Sequence, residues 1–277
     1  MVGNHLSLDE TAFSNGDLYT ILTNKKAKGK KGAILAIVKG TKTDVVTRIL
    51  HKIPLKQRNK VKEVTLDMAG NVGLIVKKSF PNATQVIDRF HVQKLALDAL
   101  QEIRIKHRWE ALDTENDAIE NAKNKSLKYI PELLENGDTL KQLLARSRYL
   151  LYKSSSKWTN NQSTRAKILF EYYPDIEKAY KLCQNLSWIF NNTKDKTSAL
   201  IRLAKWDEKV RQAAFKSFHS ISRTMSILYK NILNYFDNRS TNASAESFNA
   251  KIKAFRAQFR GVRNIEFFLF ILTNIFA

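Results

Sequence analysis

The chain has a single cysteine among its 277 residues, Cys183, and that scarcity removes several chemistries at once. No disulfide can form within it, and no zinc site can be built from clustered thiolates. One thiol suits the reducing cytosol. With only five scattered histidines, neither cysteine nor metal-histidine catalysis has the residues it needs. The phosphate-cradling pattern GxxxxGK[ST] does not occur. The longest apolar run, FFLFIL at 267–272, is far short of the roughly 20 residues that span a bilayer. It is expected to be a buried helix. The first residues, MVGNHLSLDETAF, lack a signal peptide's apolar stretch.

Acid is the largest deficit. There are 26 Asp and Glu against 47 Lys and Arg, a net charge of +21. A cytosolic protein this basic is expected to meet a polyanion, with nucleic acid first. A membrane surface is the weaker partner, because no basic amphipathic helix is flanked by anchors. The charge is uneven: net +9 over residues 1–90, +2 over 91–180 and +10 over 181–277. If the two ends fold together, they form one basic surface.

Hydrophobic periodicity divides the chain. Segments 5–13, 17–24 and 32–40 read as strands separated by turn signals. Segment 43–53 reads as a helix with Val45, Val46, Ile49, Leu50 and Ile53 on one face, 61–67 as a strand, 69–80 as a helix and 84–90 as a strand. This order predicts a mixed sheet with helical crossovers, an α/β fold. From His91 to about Phe236 the pattern is helical. Helices are expected over 93–112, over 138–153 with Asp138 as N-cap, and in runs centred near Ala166, Ala179, Leu200, Phe215 and Leu228. Trp109, Trp158, Trp188 and Trp206 are expected to anchor the core of this all-α block. A last long helix is expected over about 242–262.

Three acids attract attention. Asp9 lies in mid-strand, sharing a face with Ser7 and Thr11, where propensity disfavours it. Either a metal ion compensates or the residue guards an edge strand. Glu10 points the other way. Asp67 closes a strand, where ligands collect in open α/β sheets, although a turn aspartate fits as well. Glu246 is the only acid between Asn238 and Ile265, among Arg239, Lys251, Lys253, Arg256, Arg260 and Arg263. On a helical wheel Phe248, Ile252, Phe255, Phe259 and Val262 form an apolar stripe. Glu246, Asn249, Lys253, Arg256 and Arg260 gather opposite. Glu246 has no basic residue at i+3 or i+4 and completes no capping box. It is a plain solvated glutamate or a ligand. Three such acids suit two divalent ions that clamp the attacking and leaving oxygens of a phosphodiester, with basic flanks on the DNA backbone.

The stretches SLDETAF, VTLDMAGNVGLIVKKSFPNATQVIDRFHVQKL, AYKLCQ, LNYFDNRSTNASAESFNAKIKAF and FRGVRN together resemble the DDE transposases of bacterial insertion sequences, in the ISL-three group. They run in the family's order over essentially the whole chain. The resemblance implies a ribonuclease-H-like core in residues 1–91 and 237–277, interrupted by a helical insertion over 92–236. It implies metal-dependent cleavage at transposon ends and strand transfer into target DNA. By that resemblance Asp9, Asp67 and Glu246 are catalytic and hold Mg²⁺ or Mn²⁺, with two ions expected. Asp88 and His91, in DRFH, would be accessory. Asn249, Lys251, Lys253, Arg256, Arg260 and Arg263 would contact DNA. The expected partners are double-stranded DNA and further copies of the chain, in the bacterial cytoplasm with the nucleoid. Two departures stand out. Ala243 and Ser247 replace family glycines around the last acid, and no N-terminal zinc-binding segment or helix-turn-helix precedes Asp9. By that departure the end-recognition module is expected to be absent or supplied by a separate DNA-recognition polypeptide. A structure-selective nuclease on the same core and a non-catalytic DNA-binding remnant are the competing readings.

Overall fold

A computed structural model of the chain describes residues 2–12, 17–258 and 264–277. The first strands are β1 (His5–Ala12), β2 (Leu18–Asn24) and β3 (Ile34–Lys39). Helices α1 (Thr43–Leu50) and α2 (Leu55–Arg58) lead to β4 (Glu63–Leu66), α3 (Gly70–Ser79) and β5 (Thr84–Ile87). Nine helices follow among the described residues: α4 (Arg89–Asn124), α5 (Leu140–Arg146), α6 (Asn160–Tyr172), α7 (Pro174–Asn192), α8 (Lys196–Ala213), α9 (Lys216–Leu233), α10 (Tyr235–Asn238), α11 (Ala243–Gln258) and α12 (Ile265–Phe276). Two compact units result: residues 1–92 with 228–277, and residues 93–227.

The first unit is built on a five-stranded sheet in the order β3-β2-β1-β4-β5. β1, β2 and β3 pair antiparallel, whereas β1-β4 and β4-β5 are parallel. This is a mixed, ribonuclease-H-like sheet. Antiparallel neighbours need only a hairpin, and the parallel pairs need the crossovers that α1–α2 and α3 supply. Alternation along β1 sends Leu6 and Leu8 to one face, where they are fully buried, and Ser7, Asp9 and Thr11 to the other. Val46 and Leu50 of α1 and Val72, Ile75 and Val76 of α3 are buried as well, the apolar side of each crossover helix.

Helix α11 packs over the Ser7 face. Phe248 and Ile252 join a cluster with Tyr19, Ile21, Ala33, Ile34, Phe268 and Leu272, and Phe255 packs against it. The predicted apolar stripe therefore docks the helix on the antiparallel half of the sheet. Phe259 and Val262 lie outside the described residues. Gly29 turns the β2–β3 connection at φ +69°, and a Cβ there would meet the Lys251 ammonium at 3.2 Å. Both the backbone conformation and the close approach call for glycine.

In the helical unit, α7 buries Ile176, Ala179, Tyr180, Cys183, Leu186 and Phe190 at helical spacing against α8, whose Trp206 is wholly buried and donates to the Leu182 carbonyl at 2.9 Å. Burial pushes the Cys183 thiol far up, so it stays protonated and inert. Several expectations need correction. Helix α5 is capped by Thr139, not Asp138, because Gln142 three residues on closes a capping box. Asp138 is instead buried as the shared partner of Arg146 and of Arg165, the latter at 2.9 Å. Phe215 sits in the break between α8 and α9, where Ala214 turns left-handed at φ 56°. Of the four tryptophans only Trp206 is a core anchor: Trp109 is 60% exposed and Trp188 49%, with Trp158 half-buried. Finally, α12 is buried on one side only, through Phe268 and Leu272, while Phe267 and Phe270 are exposed.

Candidate active site

Strand register brings three aspartates level. Leu8 pairs with Leu66, and Leu66 with Ile87, so the next residues along β1, β4 and β5 are Asp9, Asp67 and Asp88. Neighbouring strands lie about 4.8 Å apart, which puts Asp67 between the other two. All three stand at or near the carboxyl ends of parallel strands, where an open α/β sheet collects ligands.

Helix α11 reaches this line through two asparagines. Asn249 donates from Nδ2 to Asp9 Oδ2 at 2.7 Å. Asn242, wholly buried, accepts from the Ser7 hydroxyl and gives its own N–H to Asp88 Oδ2, and its carbonyl accepts the Glu246 N–H at 2.9 Å. Glu246 thus occupies the first turn of α11, just past a buried anchor. A carboxylate there also suits the positive end of the helix dipole.

Asp88 is 1% exposed, and its oxygens are committed: Oδ1 accepts the Phe90 N–H at 2.9 Å while Oδ2 holds Asn242. It caps the start of α4 and pins the entry to α11. His91, half-buried in the first turn of α4, acts electrostatically on both Asp9 and Glu246. Asp67 Oδ1 accepts the Ala69 N–H at 2.8 Å, a short turn that launches α3.

The acids burden one another. Burial raises the Asp9 carboxyl above the ordinary 3.8; the Glu10 N–H, His91 and Asn249 oppose the rise, while Asp67 adds to it. Burial likewise raises Glu246 above 4.5, and the charges of Asp88 and Asp9 add to the rise against His91. Glu10 is raised by burial too, then by Asp67 and Asp9, although Asn71 donates to it at 3.2 Å. Beneath the line, buried Glu63 faces Lys25 at 3.5 Å and accepts from Asn238 at 3.3 Å, and Lys25 also donates to Thr65. Burial lowers the Lys25 pKa, against the pull of Glu63.

A family model described as transposase, of the DDE type and the ISL-three group, matches residues 6–272. The chain belongs to that transposase family. Comparison with curated proteins gives no match. The transposase acts on DNA, and its family uses divalent metal ions. No described helix is long and apolar enough to cross a membrane.

The carboxylates of the transposase have the donor chemistry of a hard-cation site, and burial raises those of Asp9, Glu10 and Glu246. Among the described residues, no three His, Cys, Asp or Glu side chains are grouped closely enough to hold a metal. The basic residues divide. Lys253 is exposed and Arg256 half-buried, but Lys251 turns its ammonium toward the Gly29 carbonyl, 3.4 Å away. Arg260 and Arg263 lie outside the described residues. Asn249 was grouped by its helical position with the basic side chains, yet it reaches the sheet acid. Sequence reasoning missed Asn242 as an anchor. Its signal was an asparagine directly before the helix, a common N-cap choice. Nothing local marked the Lys25-Glu63-Asn238 cluster, whose members are far apart in the chain.

Proposed function

We propose that Asp9, Asp67 and Glu246 form the catalytic set with which this transposase cuts DNA at the ends of a mobile element and joins the freed strand to a target. The observation carrying the reading is the level line of aspartates under α11, with Glu246 in that helix's first turn and Asn249 of the same helix bonded to Asp9 at 2.7 Å. The three carboxylates are not grouped closely enough as they stand to hold a metal ion; drawn together on DNA, they would hold Mg²⁺ or Mn²⁺, which would supply polarisation of the phosphodiester and activation of the attacking hydroxyl.

The chain's own groups prepare that site. Each Asp9 oxygen accepts one hydrogen bond, from the Glu10 N–H and from Asn249, which fixes the plane of the carboxylate and leaves lone pairs for a cation. Asp88 is a positioning residue: by holding Asn242 and Phe90 it sets where α11 and His91 start relative to the strands. His91 eases repulsion among the acids. Lys253, Arg256, Arg260 and Arg263 hold the phosphate backbone, which the acids alone would repel. An element has two ends, so the reading includes more than one copy of the chain on DNA.

Asp9→Asn, Asp67→Asn and Glu246→Gln test it one at a time, on oligonucleotides carrying an element end with Mg²⁺ present. Each should abolish cutting and joining while the chain stays cooperatively folded and keeps DNA affinity near wild type. Undiminished cutting by any variant would remove that residue from the set. Cut strands that are never joined would assign a nuclease instead.

A further inference from the structure

Beneath the line of aspartates lies an ion pair that the proposed chemistry does not use. Glu63 and Thr65 precede Asp67 on β4, and alternation puts all three side chains on one face of the sheet. Lys25 opens a short 3-10 helix, Lys25–Ala27, directly after β2, and reaches past β1 to that face. Its ammonium stands 3.5 Å from Glu63 Oε1 and donates to Thr65. The two charged side chains are only 15% and 5% exposed. Glu63 Oε2 accepts from Asn238 Nδ2 at 3.3 Å. Asn238 is the last residue of α10, and Arg239 then turns the chain left-handed at φ 50°. Asn242 follows, held by Ser7 and Asp88, with its carbonyl on the Glu246 N–H. The connection into α11 is thus fastened at both ends, Asn238 to the start of β4 and Asn242 to β1 and the residue after β5.

A buried ion pair is a poor device for stability alone. Desolvation of both charges opposes their attraction, and apolar side chains of similar size often hold a fold as well. The pair supplies what apolar groups cannot, a charged acceptor fixed in direction. A hydrogen bond to a carboxylate is roughly twice as strong as one between neutral groups. Lys25 holds that carboxylate in place, with Thr65 orienting the ammonium. The carboxylate in turn holds Asn238, four residues before the buried anchor of α11.

We propose that Lys25 and Glu63 are positioning residues for Glu246: by fixing Asn238 they set where α11 begins over the strand acids. They act through Asn238 and not at the reacting atoms. The inference rests on the assignment of Glu246 to the catalytic set and deepens it by naming what holds the helix that carries the last acid.

The test uses the full chain bound to an oligonucleotide that carries an element end. It reads melting temperature, Mn²⁺ affinity by electron paramagnetic resonance, and hydrogen exchange of the Glu246 amide. The double variant Lys25→Met/Glu63→Met removes the pair without stranding a charge, so its melting temperature should stay close to wild type. Asn238→Ala keeps the pair and cuts its link to α11. Each of the two should weaken Mn²⁺ binding about tenfold, raise the Mg²⁺ concentration for half-maximal cutting by the same factor, and quicken exchange at Glu246, with DNA affinity unchanged. Combining them should add little further loss, because they break one chain of contacts. A pair that only stabilises the sheet predicts otherwise: Mn²⁺ affinity would fall in Glu63→Gln, which strands Lys25, and recover in the double Met variant. That recovery, or unchanged exchange at Glu246 in Asn238→Ala, overturns the proposal. If exchange quickens but Glu246→Gln still cuts DNA, the catalytic assignment fails and the positioning of Glu246 stands.

Discussion

Replacing Asp88 with asparagine separates a positioning carboxylate from a metal ligand. The residue is 1% exposed, and each oxygen accepts a backbone N–H, Oδ1 from Phe90 at 2.9 Å and Oδ2 from Asn242. Asparagine keeps a single oxygen. Whichever N–H that oxygen serves, the other faces an NH₂ donor in a buried site. A hydrogen bond to a charged acceptor contributes about 1.5–3 kcal/mol, and leaving a buried donor unmet costs about 1–3 kcal/mol. The two figures overlap, so the expected loss is about 3 kcal/mol. At about 2–4 °C per kcal/mol for a chain of this size, the melting temperature should fall by roughly 6–12 °C. Asp67→Asn is the control. Asp67 is half-buried and holds one N–H, from Ala69 at 2.8 Å, which an asparagine oxygen can keep. That variant should stay within about 0.5 kcal/mol of wild type while losing DNA cutting. Circular dichroism melts and urea titrations of both variants check this. If Asp88→Asn melts with the wild type, or Asp67→Asn loses as much stability, the division of labour among the aspartates is wrong.

Further outcomes follow from the same geometry. Asp9, Glu10 and Glu246 have carboxyls raised above 3.8, 4.5 and 4.5, so their ionisation opposes folding: the cost is absent below those values and complete above the raised ones. The stability of metal-free wild type relative to Asp9→Asn should therefore fall as the pH rises from 3.8 toward neutrality, on top of a pH-independent offset from the hydrogen bond that asparagine cannot keep with the Glu10 N–H or Asn249. Mg²⁺ should raise the melting temperature of the wild type, but not that of Asp9→Asn or Glu246→Gln, in a thermal-shift titration. Phe248, 1% exposed in the cluster that docks α11, should cost about 3–5 kcal/mol when cut to alanine, read from urea midpoints, with strand cutting reduced in parallel. Burial pushes the Asp138 carboxyl up, but Arg165 and Arg146 outweigh it and hold the group below 3.8. Its contribution is thus present above that pH and lost as the pH falls through the lowered value. The stability gap between wild type and Asp138→Ala should be full at pH 7 and shrink in acid.

What could be read in advance was what depends on near neighbours in the chain. Alternation of Leu6 and Leu8 with Ser7, Asp9 and Thr11 has a period of two, and a one-residue error would have turned Asp9 into the core, so the strand's faces were legible. The stripe of Phe248, Ile252 and Phe255 was legible for the same reason at a period of 3.6. Where two local signals compete, the outcome turns on a third residue. Asp138 and Thr139 are both good caps, and Gln142 stands three residues after only one of them. The tryptophans failed for a different cause. A large apolar ring signals burial only if its helix face meets another element, and no periodicity says which face of α7 carries Trp188 outward.

The active-site asparagines are a harder case. Asn249 meets Asp9 across 240 residues, and Asn242 meets Ser7 across 235. An asparagine on a helix wheel beside Glu246, Lys253 and Arg256 carries no local mark of such a partner. Its contact exists because the Phe248–Ile252 stripe seats α11 on β2 and β3, which swings the opposite side of the first turns over β1. The apolar docking thus selects which polar residues meet the strand acids. Glu246 needs no basic neighbour on its own helix for the same reason. Its electrical environment is made by Asp88, His91 and Asp9, from other segments of the chain. An unpaired acid in a cationic helix is therefore informative: the local sequence leaves its charge unbalanced, and the balance must come from elsewhere in the fold or from a bound cation.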